Sequence, residues 1–266
     1  MLIDVHAHFF HEGTPRGDWR EYNASRLRAG ERIGVTIHLT SILGTFGRRS
    51  PTYFPSPADV VTGNDFCLEL QRQHPNRIRG YACVNPNYTD HAGAEIARCR
   101  AAGMIGVKLA ASRRANDPLL DPLCAAAGSL GLPILHHIWQ GRRRDWPGQE
   151  ASDAAELSAL AGRHPKVTFI LAHIGGGGDW LHSLAVVAAH RNVCVDLSGS
   201  GVDGGMLEAC LEAVGVSRLL WGSDLTMDAG WAKLRYLSHL LSAADLELVK
   251  WKNAARVFPP GSFPAD

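Results

Sequence analysis

The sequence lacks the features that mark several classes of protein. Its 266 residues contain six cysteines but no Cys-x-x-Cys pair, no N-terminal secretory signal and no apolar run of the roughly 18–20 residues that span a bilayer. The formal net charge is only +1, so neither nucleic acid nor an anionic membrane is an expected partner. We therefore expect a cytoplasmic globular protein with reduced, mostly buried thiols that acts on a small molecule. The sequence leaves homo-oligomer formation open.

Short apolar runs alternate with helical patterns along the chain. The apolar runs cover residues 2–6, 34–40, 78–84, 105–109, 133–137, 167–173, 193–197 and 218–222. The helical patterns cover residues 58–74, 91–102, 118–130, 151–163, 179–190, 205–213 and 229–241. Eight apolar runs in alternation with helical patterns predict an α/β fold, a (β/α)8 TIM barrel that forms one domain over residues 1–266. An open doubly wound sheet is the alternative, although no Gly-x-Gly-x-x-Gly turn follows the first run.

Two connections are long for a barrel of this kind. They cover residues 9–32 and 44–57, after the first and second predicted strands. In a barrel they would lie on the face that carries active sites, so we expect binding loops or lids.

A His-x-His pair, His6 and His8, ends the first predicted strand. Residues two apart in an extended strand point to the same side, so the two imidazoles can form half of a metal site. Further ligand-type or acid–base residues lie at later strand ends, and they are Lys108, His136, His137, His173, Asp196 and Asp224. Barrel enzymes place reactive residues at these ends, so the pattern predicts one active site.

The strand-end residues stand in an ordered series of segments. The first is Ile3-Asp4-Val5-His6-Ala7-His8, and the others cover residues 106–109, 132–137, 171–176, 195–199, 220–224 and 253–258. Over nearly the whole chain, these segments resemble the metal-dependent amidohydrolase superfamily. Within it the chain is most similar to the branch that contains aminocarboxymuconate-semialdehyde decarboxylase.

The resemblance implies that His6, His8, His137 and Asp224 bind one divalent metal ion, with His173 beside a metal-bound water. Three neutral imidazoles and a carboxylate suit Zn²⁺ best, and Mn, Co and Fe are alternatives. Such an ion lowers the pKa of water toward ~7 and polarises a substrate carbonyl. Asp224 is then the expected acceptor of the water's proton, while His173 orients the water or stabilises developing negative charge.

Other strand-end residues keep more than one interpretation. Adjacent strand residues face opposite sides, so the family pattern selects His137 and leaves His136 a structural residue facing the helices. A strand-4 lysine is carboxylated and bridges two metals in some members of the superfamily. We favour a mononuclear site, with Lys108 as a partner for substrate charge or as a structural residue. Asp196 is expected to have a structural role or to bond a ligand histidine, rather than to bind the metal.

The loops after the strands suggest an acidic substrate. Arginine pairs suit carboxylates, and the candidates are Arg48, Arg49, Arg113, Arg114 and residues 142–144. A solvated surface charge is the alternative interpretation of any one pair. Trp139 and Trp146 flank the last cluster and are candidates for an apolar wall, although simple packing is an equal interpretation. The glycine run 175–178 is read as a tight turn rather than a phosphate cradle, because no P-loop Lys-Ser/Thr follows it.

The primary prediction is a hydrolase that uses a metal-activated water on an amide, ester or lactone of a small carboxylate-bearing substrate. The first alternative is a metal-dependent, non-oxidative decarboxylase of an unsaturated or aromatic acid. The similar branch and the arginine loops favour it, but 266 residues is short for that branch and the loops lack its long insertions. A non-catalytic binding protein is the second alternative, and the complete set of candidate ligands argues against it.

Overall fold

Eight parallel strands form the centre of the molecule. A computed structural model describes residues 1–139, 148–176 and 178–264. The strands are β1 (Ile3–Ala7), β2 (Ile37–Thr40), β3 (Ile78–Val84), β4 (Gly106–Leu109), β5 (Ile134–His136), β6 (Phe169–Leu171), β7 (Val193–Asp196) and β8 (Leu219–Leu220). They lie in one sheet in chain order, and each pairs in parallel with the next.

The first strand also bonds to the last, which closes the sheet. The amide of Val5 donates to the carbonyl of Trp221 at 3.0 Å, and the amide of Asp224 donates to the carbonyl of His6 at 2.6 Å. A parallel bridge joins Ala7 to Asp224. The predicted (β/α)8 barrel is therefore confirmed, and the open doubly wound sheet is excluded.

Helices follow the strands around the barrel. They are α1 (Trp19–Arg32), α2 (Pro57–Gln73), α3 (Thr89–Ala101), α4 (Asp121–Ser129), α5 (Ala154–Arg163), α6 (Trp180–Val187), α7 (Met206–Val214), α8 (Met227–Leu240), α9 (Ala243–Glu247) and α10 (Asn253–Val257). Local chemistry sets several starts: Ser56 caps α2 ahead of Pro57, and Asp153 forms a capping box with Glu156 at α5. No helix in the described ranges is long and apolar enough to cross a membrane.

The sequence predicts one long connection over residues 9–32, and this prediction is wrong for the second part of the segment, which forms α1. The helix is polar, and Leu27 is its single buried aliphatic residue, beside Asn23, Arg26 and Gly30. An apolar stripe at helical spacing is therefore missing from the sequence. Polar groups hold α1 against the barrel instead, so hydrophobic periodicity could not reveal it.

Alternate strand residues divide between two apolar clusters. Seven strands contribute to one cluster that also contains Ala254 and Phe258 from α10, and this cluster fills the barrel interior. A larger cluster packs the other face of the strands against the helices. Leu135 belongs to the interior and Ile134 to the helix side. By this alternation His137 turns inward and His136 outward, as the sequence predicts.

All six cysteines are buried and unpaired, in agreement with the expected reduced thiols. Burial raises the pKa of Cys67 and of Cys83 to about 12 each, so neither is a thiolate at neutral pH.

A buried ionic cluster joins α1 to the seam between β1, β2 and β8. Asp4 Oδ2 accepts from His38 Nδ1 at 3.0 Å, from Arg26 at 3.3 Å and from the Ser223 hydroxyl at 2.6 Å. Asp4 Oδ1 accepts from the amide of Ser223 at 3.0 Å. Burial raises the pKa of Asp4, but the His38 hydrogen bond and the Arg26 charge outweigh it, so the pKa is lowered. The carboxylate is therefore ionised and fully engaged.

We expect Asp4→Asn to lower the free energy of unfolding by about 3 kcal/mol, because it leaves the buried Arg26 guanidinium without its counter-charge. The exposed Asp65, paired with Arg98 at 2.8 Å, provides the control: Asp65→Asn should cost less than about 1 kcal/mol. Urea unfolding at neutral pH measures both. Because the native pKa of Asp4 is lowered, its contribution is present above the ordinary value of 3.8 and is lost as pH falls. Equal losses in the two variants would contradict the prediction.

Candidate active site

Five of the predicted strand-end residues line one cavity. Its volume is about 310 Å³, and its described lining combines polar groups from five strand ends with apolar side chains. The polar and ionisable lining residues are His8, Thr52, Tyr53, Lys108, His137, His173 and Asp224. The apolar ones are Phe10, Leu43, Phe46, Ala110 and Leu225. The cavity therefore has a reactive floor and largely apolar walls, which is typical of a small-molecule site.

Three side chains at the floor have the spacing of a metal site. His6, His8 and Asp224 each present one donor atom, and these atoms lie within 4.8 Å of one another. His8 Nε2 is 3.0 Å from Asp224 Oδ1. Donor atoms at about 2.0–2.2 Å around one ion are separated by roughly 3–4.5 Å, so two imidazoles and a carboxylate at this spacing fit a single divalent cation. The donor set does not distinguish zinc from manganese, cobalt or iron.

The orientation of His6 is fixed from behind by Asp196. His6 Nδ1 donates to Asp196 Oδ2 at 2.7 Å, and the Ser198 hydroxyl donates to the same oxygen at 2.6 Å. This bond leaves His6 Nε2 facing the cavity with its lone pair available. The contact between Asp196 and a ligand-type histidine is the one that the sequence predicts.

The position of His6 also depends on an irregularity in β1. The register of β1 against β2 shifts between Asp4 and Ala7. Val5 faces the barrel interior, and His6 still reaches Asp196, which also faces inward. A bulge of this kind re-aims a side chain, so strict strand alternation does not describe how His6 and His8 come together.

Burial keeps three of the cavity imidazoles neutral. It lowers the pKa of His8 and of His137, and it lowers the pKa of His173 to about 3. Burial also raises the pKa of Asp224, but interactions led by the hydrogen bond from His8 outweigh it, and the pKa is lowered. Neutral imidazole and ionised carboxylate are the forms that bind a metal cation, so the floor is ready to do so at neutral pH.

His137 and His173 form a pair beside these donors. His137 Nδ1 lies 3.1 Å from His173 Nε2, so one ring donates and the other accepts. The His173 ring also stacks on His6 with 5.5 Å between centroids. His137 is not among the three closely spaced donors described above. Its role as a fourth ligand stays a prediction, as does the role of His173 beside the metal.

Backbone strain is concentrated at this cavity. Among the described residues, the non-glycine residues with positive φ are Phe46 (51°), His173 (42°) and Asp224 (52°), and all three line the cavity. The left-handed region costs non-glycine residues roughly 1–3 kcal/mol, and such strain persists only where surrounding contacts enforce it. Strain at these positions supports a functional interpretation of the cavity.

Lys108 is the sole lysine or arginine in the described lining. Its side chain rises from β4 inside the barrel, is 1% exposed, and places Nζ 3.5 Å from His6 Nε2. Burial lowers its pKa to about 8, against the opposing charge of Asp224. At neutral pH the described lining of the cavity therefore contains one ammonium group. The role of Lys108, as a partner for substrate charge or as a structural residue, stays a prediction.

The other predicted substrate-binding residues do not belong to the described lining of this cavity. Arg48 is exposed and donates to the carbonyl of Glu12 at 3.0 Å, while Arg49 is 3.8 Å from Asp59. Arg113 donates to Asn87 at 2.6 Å. None of these, nor Trp139, belongs to the described lining, so contact with a substrate stays a prediction for all four.

The remaining predictions concern residues behind or beyond the cavity. Burial lowers the pKa of His136 to about 4, and its Nε2 has no hydrogen-bond partner in the described part of the chain. Residues 142–144 and Trp146 lie outside the described residues, as does one residue of the glycine run, Gly177.

Sequence reasoning missed the aromatic wall of the cavity. Phe10, Phe46 and Tyr53 lie on the connections after β1 and β2, and Phe10 and Phe46 pack with 5.3 Å between ring centroids. Both connections are correctly expected to contribute to the site. The arginines in these loops drew attention because of charge, whereas the aromatic residues reach the cavity.

We expect His6→Ala and His8→Ala to lose bound divalent metal, because each removes one of three closely spaced donors. Elemental analysis of protein purified without chelator measures the loss. The exposed His182 is the control, and His182→Ala should retain the metal content of the wild type. Far-ultraviolet circular dichroism should be unchanged in all three variants. Full metal content in His6→Ala would contradict the assignment.

Known proteins resemble this chain over almost its entire length. Gamma-resorcylate decarboxylase from Polaromonas sp. strain JS666 is 23% identical over 323 aligned residues, covering 96% of this chain and 98% of the relative. The alignment is longer than this chain, so the relative contains segments that this chain lacks.

Solved structures show the same fold. A 2,6-dihydroxybenzoate decarboxylase from Rhizobium superposes with a TM-score of 0.73 at 18% identity, covering 96% of this chain and 98% of the other. A dihydroxybenzoic acid decarboxylase from Polaromonas sp. JS666, with bound manganese and the inhibitor 2-nitroresorcinol, has a TM-score of 0.72 at 19% identity and covers 96% of both chains. The family model described as amidohydrolase matches residues 3–259. On that match, which takes in every strand of the barrel and the cavity at its carboxyl end, the chain belongs to the amidohydrolase family.

Proposed function

We propose that this protein is a metal-dependent, non-oxidative decarboxylase of a small aromatic acid that bears a hydroxyl group beside its carboxylate. The observation that carries the proposal is the composition of the cavity. A group of metal-ligating type forms its floor, aromatic and aliphatic side chains form its walls, and one ammonium group stands among them. The names of the relatives, which are decarboxylases of hydroxylated benzoic acids, support the same reaction.

The cavity suits a single planar ring. Its volume of about 310 Å³ is at the lower end of the range for ligand pockets, roughly 300–1,000 Å³. Phe10 and Phe46 provide apolar contact for the ring faces, and Lys108 provides a charge partner for a carboxylate. The described lining offers no second cation, so it favours an acid with one carboxylate over a diacid.

The reaction needs a proton delivered to the carbon that loses carbon dioxide. His6, His8 and Asp224 would hold the divalent ion, which would supply Lewis-acid chemistry that favours ionisation of the substrate hydroxyl. Asp224, ionised and 3.0 Å from His8, is the base placed to take the hydroxyl proton. The same carboxyl group then gives this proton to the ring carbon that bears the carboxylate.

Loss of carbon dioxide is the last step of the reaction. The bond between the ring carbon and the carboxylate carbon breaks, and its electron pair restores the aromatic ring as a phenolate. Lys108 orients the departing carboxylate, and the apolar walls exclude water from the protonated ring. The His137–His173 pair lines the same cavity and would orient the substrate there.

Hydrolysis, the primary prediction from sequence, is the second candidate. The ionised Asp224 beside a metal-ligating group is also an arrangement that activates water. The names of the relatives favour decarboxylation, and the apolar walls suit an aromatic ring better than the polar backbone of an amide.

Carbon dioxide release should distinguish the two candidates. We expect release from 2,6-dihydroxybenzoate or a related 2-hydroxybenzoate by protein loaded with Mn²⁺ or Zn²⁺, and none from benzoate, which lacks the ionisable hydroxyl. Chelator should abolish the release and added metal should restore it. Hydrolysis of lactones, esters or amides without carbon dioxide release from any acid would overturn the proposal.

We expect Lys108→Met to raise KM for the acid about tenfold to a hundredfold, because a hydrogen bond to a charged group contributes roughly 1.5–3 kcal/mol. Lys166→Met, at an exposed lysine, is the matched control and should leave KM unchanged. Steady-state kinetics at saturating metal separate KM from kcat. An unchanged KM in Lys108→Met would remove Lys108 from substrate binding.

A further inference from the structure

Lys233 is a charged residue inside the protein that the proposed reaction does not use. It lies on α8, which begins shortly after Asp224, and it is 0% exposed. Its Nζ donates to the carbonyl of Gly199 at 2.5 Å. The described residues provide no ion pair for it within 4.0 Å. A lysine at such a position is costly to desolvate, and an aliphatic side chain would fill the same space without that cost.

The Lys233 ammonium group lies where the loop after β6, at Gly175 and Gly176, contacts the loop after β7, at Gly199. We call this contact the glycine crossing. Gly199 has a φ of 97°, and a Cβ there would lie 2.5 Å from the amide nitrogen of Gly176, so the two backbones are in direct contact. The amide of Gly175 donates to the carbonyl of Ser198 at 3.1 Å, and the amide of Gly201 donates to the carbonyl of Gly175 at 2.5 Å. A Cβ on Gly175 would overlap the Lys233 ammonium group. The lysine therefore occupies a cradle that two glycines form.

The glycine crossing also constrains the backbone conformation of His173. The amide of Gly176 donates to the carbonyl of His173 at 2.8 Å, and a Cβ on Gly176 would lie 3.3 Å from His173 Nδ1. His173 is in the left-handed region, which it would leave if its surroundings relaxed. A shift of Gly175 and Gly176 would thus turn the imidazole that faces His137.

The charge state of Lys233 is compatible with this contact. Burial lowers its pKa to about 8, while the charges of Asp196 and Asp224 oppose the decrease. At neutral pH most molecules therefore hold an ammonium group against the Gly199 carbonyl. A charge-assisted bond of this kind is stronger than a neutral one and fixes the crossing in one geometry.

We propose that Lys233 is a positioning residue, which holds the glycine crossing of the β6 and β7 loops and through it fixes the imidazole of His173 in the cavity. The inference rests on the proposed function only in that His173 is taken to act on the substrate.

Lys233→Met tests the proposal, because methionine keeps the length of the side chain and removes the charge. We expect kcat to fall about tenfold to a hundredfold, the cost of a misplaced active-site group, with KM and metal content unchanged. Lys250→Met is the control, since Lys250 is partly buried and pairs with Glu247 away from the cavity. A fall in melting temperature without a change in kcat would assign Lys233 a purely structural role and overturn the proposal.

Two further measurements separate positioning from general destabilisation. Gly175→Ala keeps the charge but pushes against the ammonium group, and it should reduce kcat as Lys233→Met does. In a His173→Gln background, Lys233→Met should cause no further loss of kcat, because the group it positions is absent. Independent, additive losses would contradict the proposal.

A measurement that does not depend on catalytic activity tests the role of Lys233 separately from the proposed reaction. The imidazole resonances of His173, assigned by their loss in His173→Gln, should shift in Lys233→Met, whereas those of the exposed His182 should not. Unmoved His173 resonances would overturn the role of Lys233 whatever reaction the protein catalyses. If wild-type protein releases no carbon dioxide but the resonances shift, the positioning role stands and the decarboxylase proposal fails.

Discussion

A buried carboxylate is stable only when its oxygens are engaged, and this constraint organises the whole floor of the barrel. Asp4 and Asp196 are both 0% exposed. Asp196 holds the ring of His6, and Asp4 holds the amide and hydroxyl of Ser223, next to Asp224. Each is therefore both a stability element and an orienting element. Removing either one would leave buried cationic or polar groups unpaired and would release a candidate metal ligand.

The strain at the cavity depends on the same contacts. Asp224 keeps a positive φ because hydrogen bonds hold the backbone on both sides of it. Asp4 accepts from the amide of the neighbouring Ser223, and the amide of Asp224 donates to the carbonyl of His6. His173 keeps a positive φ while the amide of Gly176 donates to its carbonyl. Unfavourable backbone geometry at the site is thus offset by polar contacts one layer below it. The reactive groups are held in place before any substrate arrives, which limits the reorganisation that the reaction would require.

The barrel and the set of floor residues could be predicted from sequence because strands covered on both faces read as apolar runs, and reactive groups follow them. The helix α1 could not, since its buried face includes Asn23 and Arg26. Asp4 lies inside a strand rather than at its end, so a search of strand ends passes over it. Lys233 carried a usable signal: it occupies the stripe formed by Gly230, Leu234 and Leu237, where a charge is unexpected. The part of the loop arginines stays a prediction, because sequence shows that a loop is long but not which of its side chains turn inward.

The closure of β1 on β8 has a consequence for how the protein is made. Asp4 and Ser223 are 219 residues apart in sequence yet hydrogen-bonded, and His8 meets Asp224 across the same seam. During synthesis on the ribosome, the edge of β1 that pairs with β8 stays unpaired until the chain from Asp4 to Ser223 has been translated. Contacts of such long range form late and slow folding. In a nascent chain the candidate metal ligands His8 and Asp224 would therefore come together only after β8 has been translated.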